Sequence, residues 1–94
     1  MVKVAVLDSG LDINSKLSKE IGFNGGIGFY EDEDGTVMME EGVYDDIGHG
    51  TAEASLIKKM CPLVEIIPIR IIKDGYVEKT NTLISCLKYV YEYE

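Results

Sequence analysis

Two apolar runs and two helically spaced stretches organise this chain. Residues 2–7 read Val-Lys-Val-Ala-Val-Leu and stop at Asp8-Ser9-Gly10. A nearly continuous β-branched run of that length predicts a central strand of a parallel sheet, covered on both faces. Residues 64–72, Val-Glu-Ile-Ile-Pro-Ile-Arg-Ile-Ile, predict a second buried strand. Pro68 lies inside it without a backbone N–H, so an irregular pairing or a bulge is expected there. Between the two runs, Ala52, Leu56, Ile57 and Met60 share one face of a helix predicted over residues 52–60. Thr51 is its expected N-cap, Glu53 complements the dipole of its first turn, and Pro62 follows its end. A last helix is predicted from about Thr82 onward, with Leu83, Ile84, Leu87, Val90 and Tyr91 on one stripe.

The intervening segments are polar. Residues 12–26 carry several glycines and read as a loop with a short turn of helix. Residues 28–30 and 36–40 flank an acidic Glu-Asp-Glu-Asp-Gly tract, and its Asp34-Gly35 pair predicts a hairpin. Residues 42–48 form a second loop and 73–75 a turn. Strand, helix and strand in succession predict a right-handed crossover. The expected fold is therefore α/β, a mostly parallel sheet with a β-hairpin and two main helices, in one domain or a piece of one. Chemistry in such sheets gathers beyond the C-terminal strand ends, and Asp8 closes the first strand.

Composition narrows the function. The chain has 94 residues, of which 46% are apolar and 28% charged, a balance that supports a small core and excludes general disorder. Its formal net charge of −8 opposes binding to nucleic acid or to anionic membranes, which need basic patches. Cys61 and Cys86 lack CxxC spacing and neighbour apolar residues, so buried, reduced thiols are expected. The sequence opens on the first strand without a charged-then-apolar leader, which predicts a cytoplasmic protein.

An aspartate at a strand end also occurs in phosphoacceptor domains and in haloacid-dehalogenase-type phosphatases. The phosphatase pattern needs a second Asp two residues later, where this chain has Gly10. The phosphoacceptor pattern needs an upstream acidic pair, and none precedes Asp8. His49, the single histidine, sits between Gly48 and Gly50 at a loop-to-helix junction. A helix N-terminus disfavours a charged imidazole and keeps the ring able to accept a proton. A carboxylate on the other ring nitrogen would fix its tautomer and stabilise the imidazolium once formed.

These residues resemble the motifs of a known family. Val4-Ala5-Val6-Leu7-Asp8-Ser9-Gly10-Leu11-Asp12 resembles the motif around the catalytic Asp of subtilisin-like serine proteases. Asp45-Asp46-Ile47-Gly48-His49-Gly50-Thr51-Ala52 resembles their catalytic-His motif. Ile66-Ile67-Pro68-Ile69-Arg70-Ile71, followed by Asp74-Gly75, is similar to the strand and turn that come next. The likeness covers nearly the whole chain in the family's order, although Ala52 stands where many relatives have a second histidine. It implies that residues 1–94 are the N-terminal half of a subtilisin-like catalytic domain, a partial three-layer fold with Asp8 and His49 as catalytic residues. By the same resemblance, Asp45 lies beside the pocket next to the histidine. Gly75 and Tyr76 border the groove that accepts substrate as an added strand.

The family's nucleophilic Ser, in a Gly-Thr-Ser motif, and its oxyanion Asn have no counterpart in this sequence. Ser9, Ser55, Ser85 and Cys86 do not occupy a Gly-x-Ser-x-Gly elbow. The expected activity is thus part of a serine endopeptidase, completed by a missing C-terminal segment or a second chain, and the isolated chain is expected to be inactive. In the family's sheet the strand of the catalytic Asp has a neighbour from beyond these residues, so residues 2–7 should form an open edge. The alternative is a non-catalytic, truncated module that binds a peptide or protein partner by strand addition. No cofactor is expected, and Asp32 and Asp34 lack the spacing of an EF-hand calcium loop.

Overall fold

A computed structural model describes residues 2–23, 25–73, 76–77 and 80–93. In chain order the elements are β1 (Lys3–Asp8), α1 (Lys16–Ile21), β2 (Ile27–Glu31), β3 (Val37–Glu41), α2 (His49–Met60), β4 (Glu65–Arg70), β5 (Ile72–Lys73), β6 (Tyr76–Val77) and α3 (Thr80–Tyr93). Four strands form one sheet in the order β1-β4-β2-β3, and β5 and β6 form a separate antiparallel pair. Strand β4 is parallel to both β1 and β2, while β2 and β3 make the antiparallel hairpin. The α/β class, the mostly parallel sheet and the hairpin are as the sequence predicts. The two main helices are α2 and α3, with α1 as the short helical turn.

Pro68 does not bulge the β1–β4 ladder, whose register runs unbroken from Lys3 opposite Glu65 to Asp8 opposite Arg70. Alternation explains why. The amides of Glu65 and Ile71 donate to Val2 O and Asp8 O, so the odd-numbered main-chain groups of β4 face β1. The even-numbered ones, Pro68 included, face β2. On that side, among the described residues, Phe23 bridges Ile66, and the pairing is next seen at Ile27–Ile69 and Gly28–Arg70. The missing N–H thus falls on the β2 side and leaves β1 pairing whole. By the same alternation, the main-chain groups of Lys3, Ala5 and Leu7 face away from β4, at the open edge of the sheet.

Side chains divide the core into two layers. Ile67, Ile69 and Ile71 of the β4 run pack with Phe29 and with Cys86 of α3, joined by Ala5, Leu7, Leu83, Tyr89 and Val90. On the other face, Ile66 packs with Leu11, Ile21 of α1 and Ala54 of α2, joined by Val4, Val6 and Ile57. Helices therefore cover both faces of the sheet, α1 and α2 on one and α3 on the other.

Both helices bury a different stripe from the expected one. Helix α2 buries Gly50, Thr51, Ala54 and Ser55, and leaves Leu56 and Met60 exposed. Small residues win because the segment after β1 presses directly on the helix. A Cβ on Gly50 would lie 2.8 Å from the Gly10 nitrogen and closer still to its carbonyl oxygen. In α3 the buried positions are Thr82 and Cys86, flanked by half-buried Leu83, Tyr89 and Val90, whereas Ile84, Leu87 and Tyr91 face outward. Cys86 is buried as expected; Cys61 is exposed just past α2.

Candidate active site

Alternation along β1 puts Asp8 on the same face as Val4 and Val6, the face covered by α2. The chain turns immediately afterward at Gly10, whose φ of 111° favours glycine and whose missing side chain admits the Tyr44 carbonyl. Helix α2 begins at His49 itself, not after Thr51, with Gly48 as a left-handed N-cap that supplies no side-chain hydrogen bond. Thr51 is thus inside the first turn.

The strand end and the helix start meet. Nδ1 of His49 lies 2.9 Å from each carboxylate oxygen of Asp8. Asp8 is mostly covered, its side chain 13% exposed, whereas that of His49 is 63% exposed. The Asp8 carboxylate also accepts the Ser9 amide at 2.7 Å, which fixes its rotamer. With Nδ1–H directed at Asp8, Nε2 is the nitrogen that remains for proton transfer. The hydrogen bond and the charge of Asp8 raise the His49 pKa above its ordinary 6.5. Desolvation opposes that shift, and Glu53 and Asp45 add smaller contributions to it. The shift is opposite in direction to the one expected from a helix N-terminus alone.

Asp45 lies beside this pair, with its carboxylate turned inward. Oδ1 accepts Ser9 Oγ at 2.7 Å, the Gly48 amide at 2.8 Å and the Ile47 amide at 3.1 Å. Oδ2 accepts the Thr51 hydroxyl at 2.6 Å and the Thr51 amide at 3.0 Å. Partial burial works against the charge, but the bonds from Thr51, Gly48 and Ser9 outweigh it and hold the pKa near 2 rather than 3.8. Asp45 thus occupies the capping role that the sequence assigned to Thr51, and its oxygens are directed at the protein rather than at a substrate side chain. Gly75 lies outside the described residues. So does the side chain of Tyr76, although its backbone pairs with Lys73 in the β5–β6 ladder.

Sequence reasoning missed the joints of the site. Ser9 Oγ donates to Asp45 and accepts the Gly50 amide at 2.8 Å, and Thr51 Oγ1 accepts the Asp12 amide at 2.9 Å. The available signal was an aspartate shortly before a helix start, with hydroxyl residues beside both Asp8 and Gly50. Arg70, in register with Asp8, is also buried. Its guanidinium crosses the space over Gly28, stacks on Tyr44 at 4.3 Å and bonds Glu40 at 2.9 Å.

Neither Ser9 nor Cys86 is placed to serve as a nucleophile here. Ser9 is 1% exposed and committed as both donor and acceptor. Cys86 lies in the α3 layer, across the sheet from Asp8, and burial pushes its thiol pKa up to about 11. Asp32 spends its Oδ1 on the amides of Asp34 and Thr36 in the hairpin turn. Among the described residues no cluster of three or more His, Cys, Asp or Glu side chains is placed to hold a metal ion. No helix among them is long and apolar enough to cross a membrane. Family models, curated proteins and solved structures include no match to this chain.

Proposed function

We propose that this chain contributes the Asp–His half of a subtilisin-like serine endopeptidase. In this reading a Ser nucleophile and an oxyanion Asn come from residues outside it, in a further segment or a partner chain. The observation that carries the reading is the pairing of His49 Nδ1 with both Asp8 oxygens, between a strand end and a helix start. In an acyl transfer, Asp8 holds the Nδ1–H tautomer and His49 Nε2 takes the proton of the attacking hydroxyl. The imidazolium, stabilised by Asp8, then returns that proton to the leaving amine.

The open edge of β1 supports a partner that completes the sheet, since a strand added there would run alongside the strand that ends in Asp8. The exposed thiol of Cys61 suits a reducing compartment, and the proposed location is the cytoplasm. The same open edge also favours a second reading, a non-catalytic module that captures an extended peptide by strand addition.

Complementation separates the two. The chain is mixed with a C-terminal subtilase segment that carries the Gly-Thr-Ser and oxyanion Asn motifs, then assayed with a peptide substrate and a serine-reactive phosphonate. Turnover that disappears in Asp8→Asn and His49→Ala supports the protease half. Binding of the segment without turnover or labelling supports the module.

A further inference from the structure

Asp8 and His49 come from elements far apart in sequence, and their side chains are joined through one ring nitrogen, Nδ1, which lies against both carboxylate oxygens. The His49 ring is largely exposed, and the Gly48 N-cap offers no side-chain anchor. What sets the separation of the two backbones must therefore lie behind the pair. Ser9 follows Asp8, Gly50 follows His49, and the Gly50 amide donates to Ser9 Oγ. That same Oγ donates to Asp45, which also gathers the amides of Ile47, Gly48 and Thr51 around the start of α2.

We propose that Asp45 is a positioning residue that holds Asp8 against His49, acting through the Ser9 hydroxyl on the strand side and Thr51 on the helix side. It touches neither reacting group. Its carboxylate is suited to the work because each oxygen serves more than one donor, three on Oδ1 and two on Oδ2. An amide in its place presents an N–H₂ group to donors on one side and loses that half of the clamp. Thr51 completes the frame by accepting the Asp12 amide, which ties the turn after β1 to the helix a second time. Catalytic importance for the clamp rests on the protease reading above, whereas its effect on geometry does not.

Because His49 is the only histidine, one imidazole resonance reports the geometry in the full 94-residue chain without any activity assay. The groups that bear on the ring are Asp8, Glu53 and Asp45. Asp8→Asn defines full loss of the contact, and its imidazole midpoint should fall toward the ordinary value. Ser9→Ala removes the joint without changing any charge, so it is the decisive variant. It should lower the midpoint by at least half the Asp8→Asn drop while the amide spectrum remains that of a folded sheet. Asp45→Asn should do at least as much, since it also removes a charge. Thr51→Val should follow Ser9→Ala, while Thr51→Ser, which keeps the hydroxyl, should match the parent. A folded Ser9→Ala or Thr51→Val chain that titrates like the parent overturns the proposal and leaves Asp45 a helix cap only. If Ser9→Ala does not fold, Thr51→Val decides alone. Absent proteolysis with a reconstituted partner would sink the protease reading and leave this result standing.

Discussion

Gly50 lies so close to Gly10 that a methyl group on the first would collide with the carbonyl oxygen of the second. In an open helix position, alanine would stabilise by roughly 1 kcal/mol relative to glycine. Here the obstacle is backbone, and Gly10 is itself packed against the Tyr44 carbonyl. Gly50→Ala should instead destabilise the chain by about 1–3 kcal/mol, read as a lower urea midpoint. An unchanged or raised midpoint would mean that the strand end and the helix are not in contact.

The pH dependence of stability follows from His49. Its folded pKa is raised, so the Asp8–His49 interaction contributes fully below about 6.5, the unfolded value. That contribution is lost as pH rises through the folded pKa. Urea midpoints should therefore decline between mildly acidic and mildly alkaline pH, and the part of the decline due to this pair should vanish in Asp8→Asn. Activity of a reconstituted enzyme should move oppositely, rising as the ring loses its proton.

Arg70 separates charge from volume. Its partner Glu40 is half exposed, so Glu40→Ala should cost less than about 1 kcal/mol. The Arg70 stem is enclosed, and its Nε is buried without a hydrogen-bond partner among the described residues. Arg70→Ala should cost about 2–4 kcal/mol by analogy with other large-to-small buried changes. Arg70→Met keeps the volume and removes the buried donor, and should stay within about 1.5 kcal/mol of the parent. Equal losses in the two Arg70 variants would assign the role to the charge.

Ala5 tests the open edge. Its N–H faces away from β4, so proline there removes no bond of the existing ladder. Ala5→Pro should leave the far-ultraviolet dichroism close to the parent's and weaken capture of a strand-adding partner at least tenfold by calorimetry. Full affinity in the variant would place the partner elsewhere.

The fold was legible wherever a local pattern decides structure. The apolar runs gave β1 and β4, Asp34-Gly35 gave the hairpin, and the order of elements gave the crossover. The helix faces were less legible because apolar spacing does not report how closely a neighbour approaches. Leu56 and Met60 have the right period, yet Gly50 and Ala54 are buried because only small residues fit beneath the turn after β1. At the site, Asp8 and His49 stood out by residue type and position. Ser9, Thr51 and the inward-facing Asp45 did not, since their bonds join segments that meet only in three dimensions.

Pro68 has a consequence for the order in which the molecule opens. Its missing donor faces β2, which among the described residues is joined to β4 by few pairings, whereas β1 and β4 are joined along their full length. The hairpin is therefore the sheet's seam, and its hydrogen-bonded amides should exchange with solvent before those bonded in the β1–β4 ladder. Asp8, His49 and Asp45 all lie outside β2 and β3, so a molecule with its hairpin peeled back could keep the triangle of β1, β4 and α2 closed.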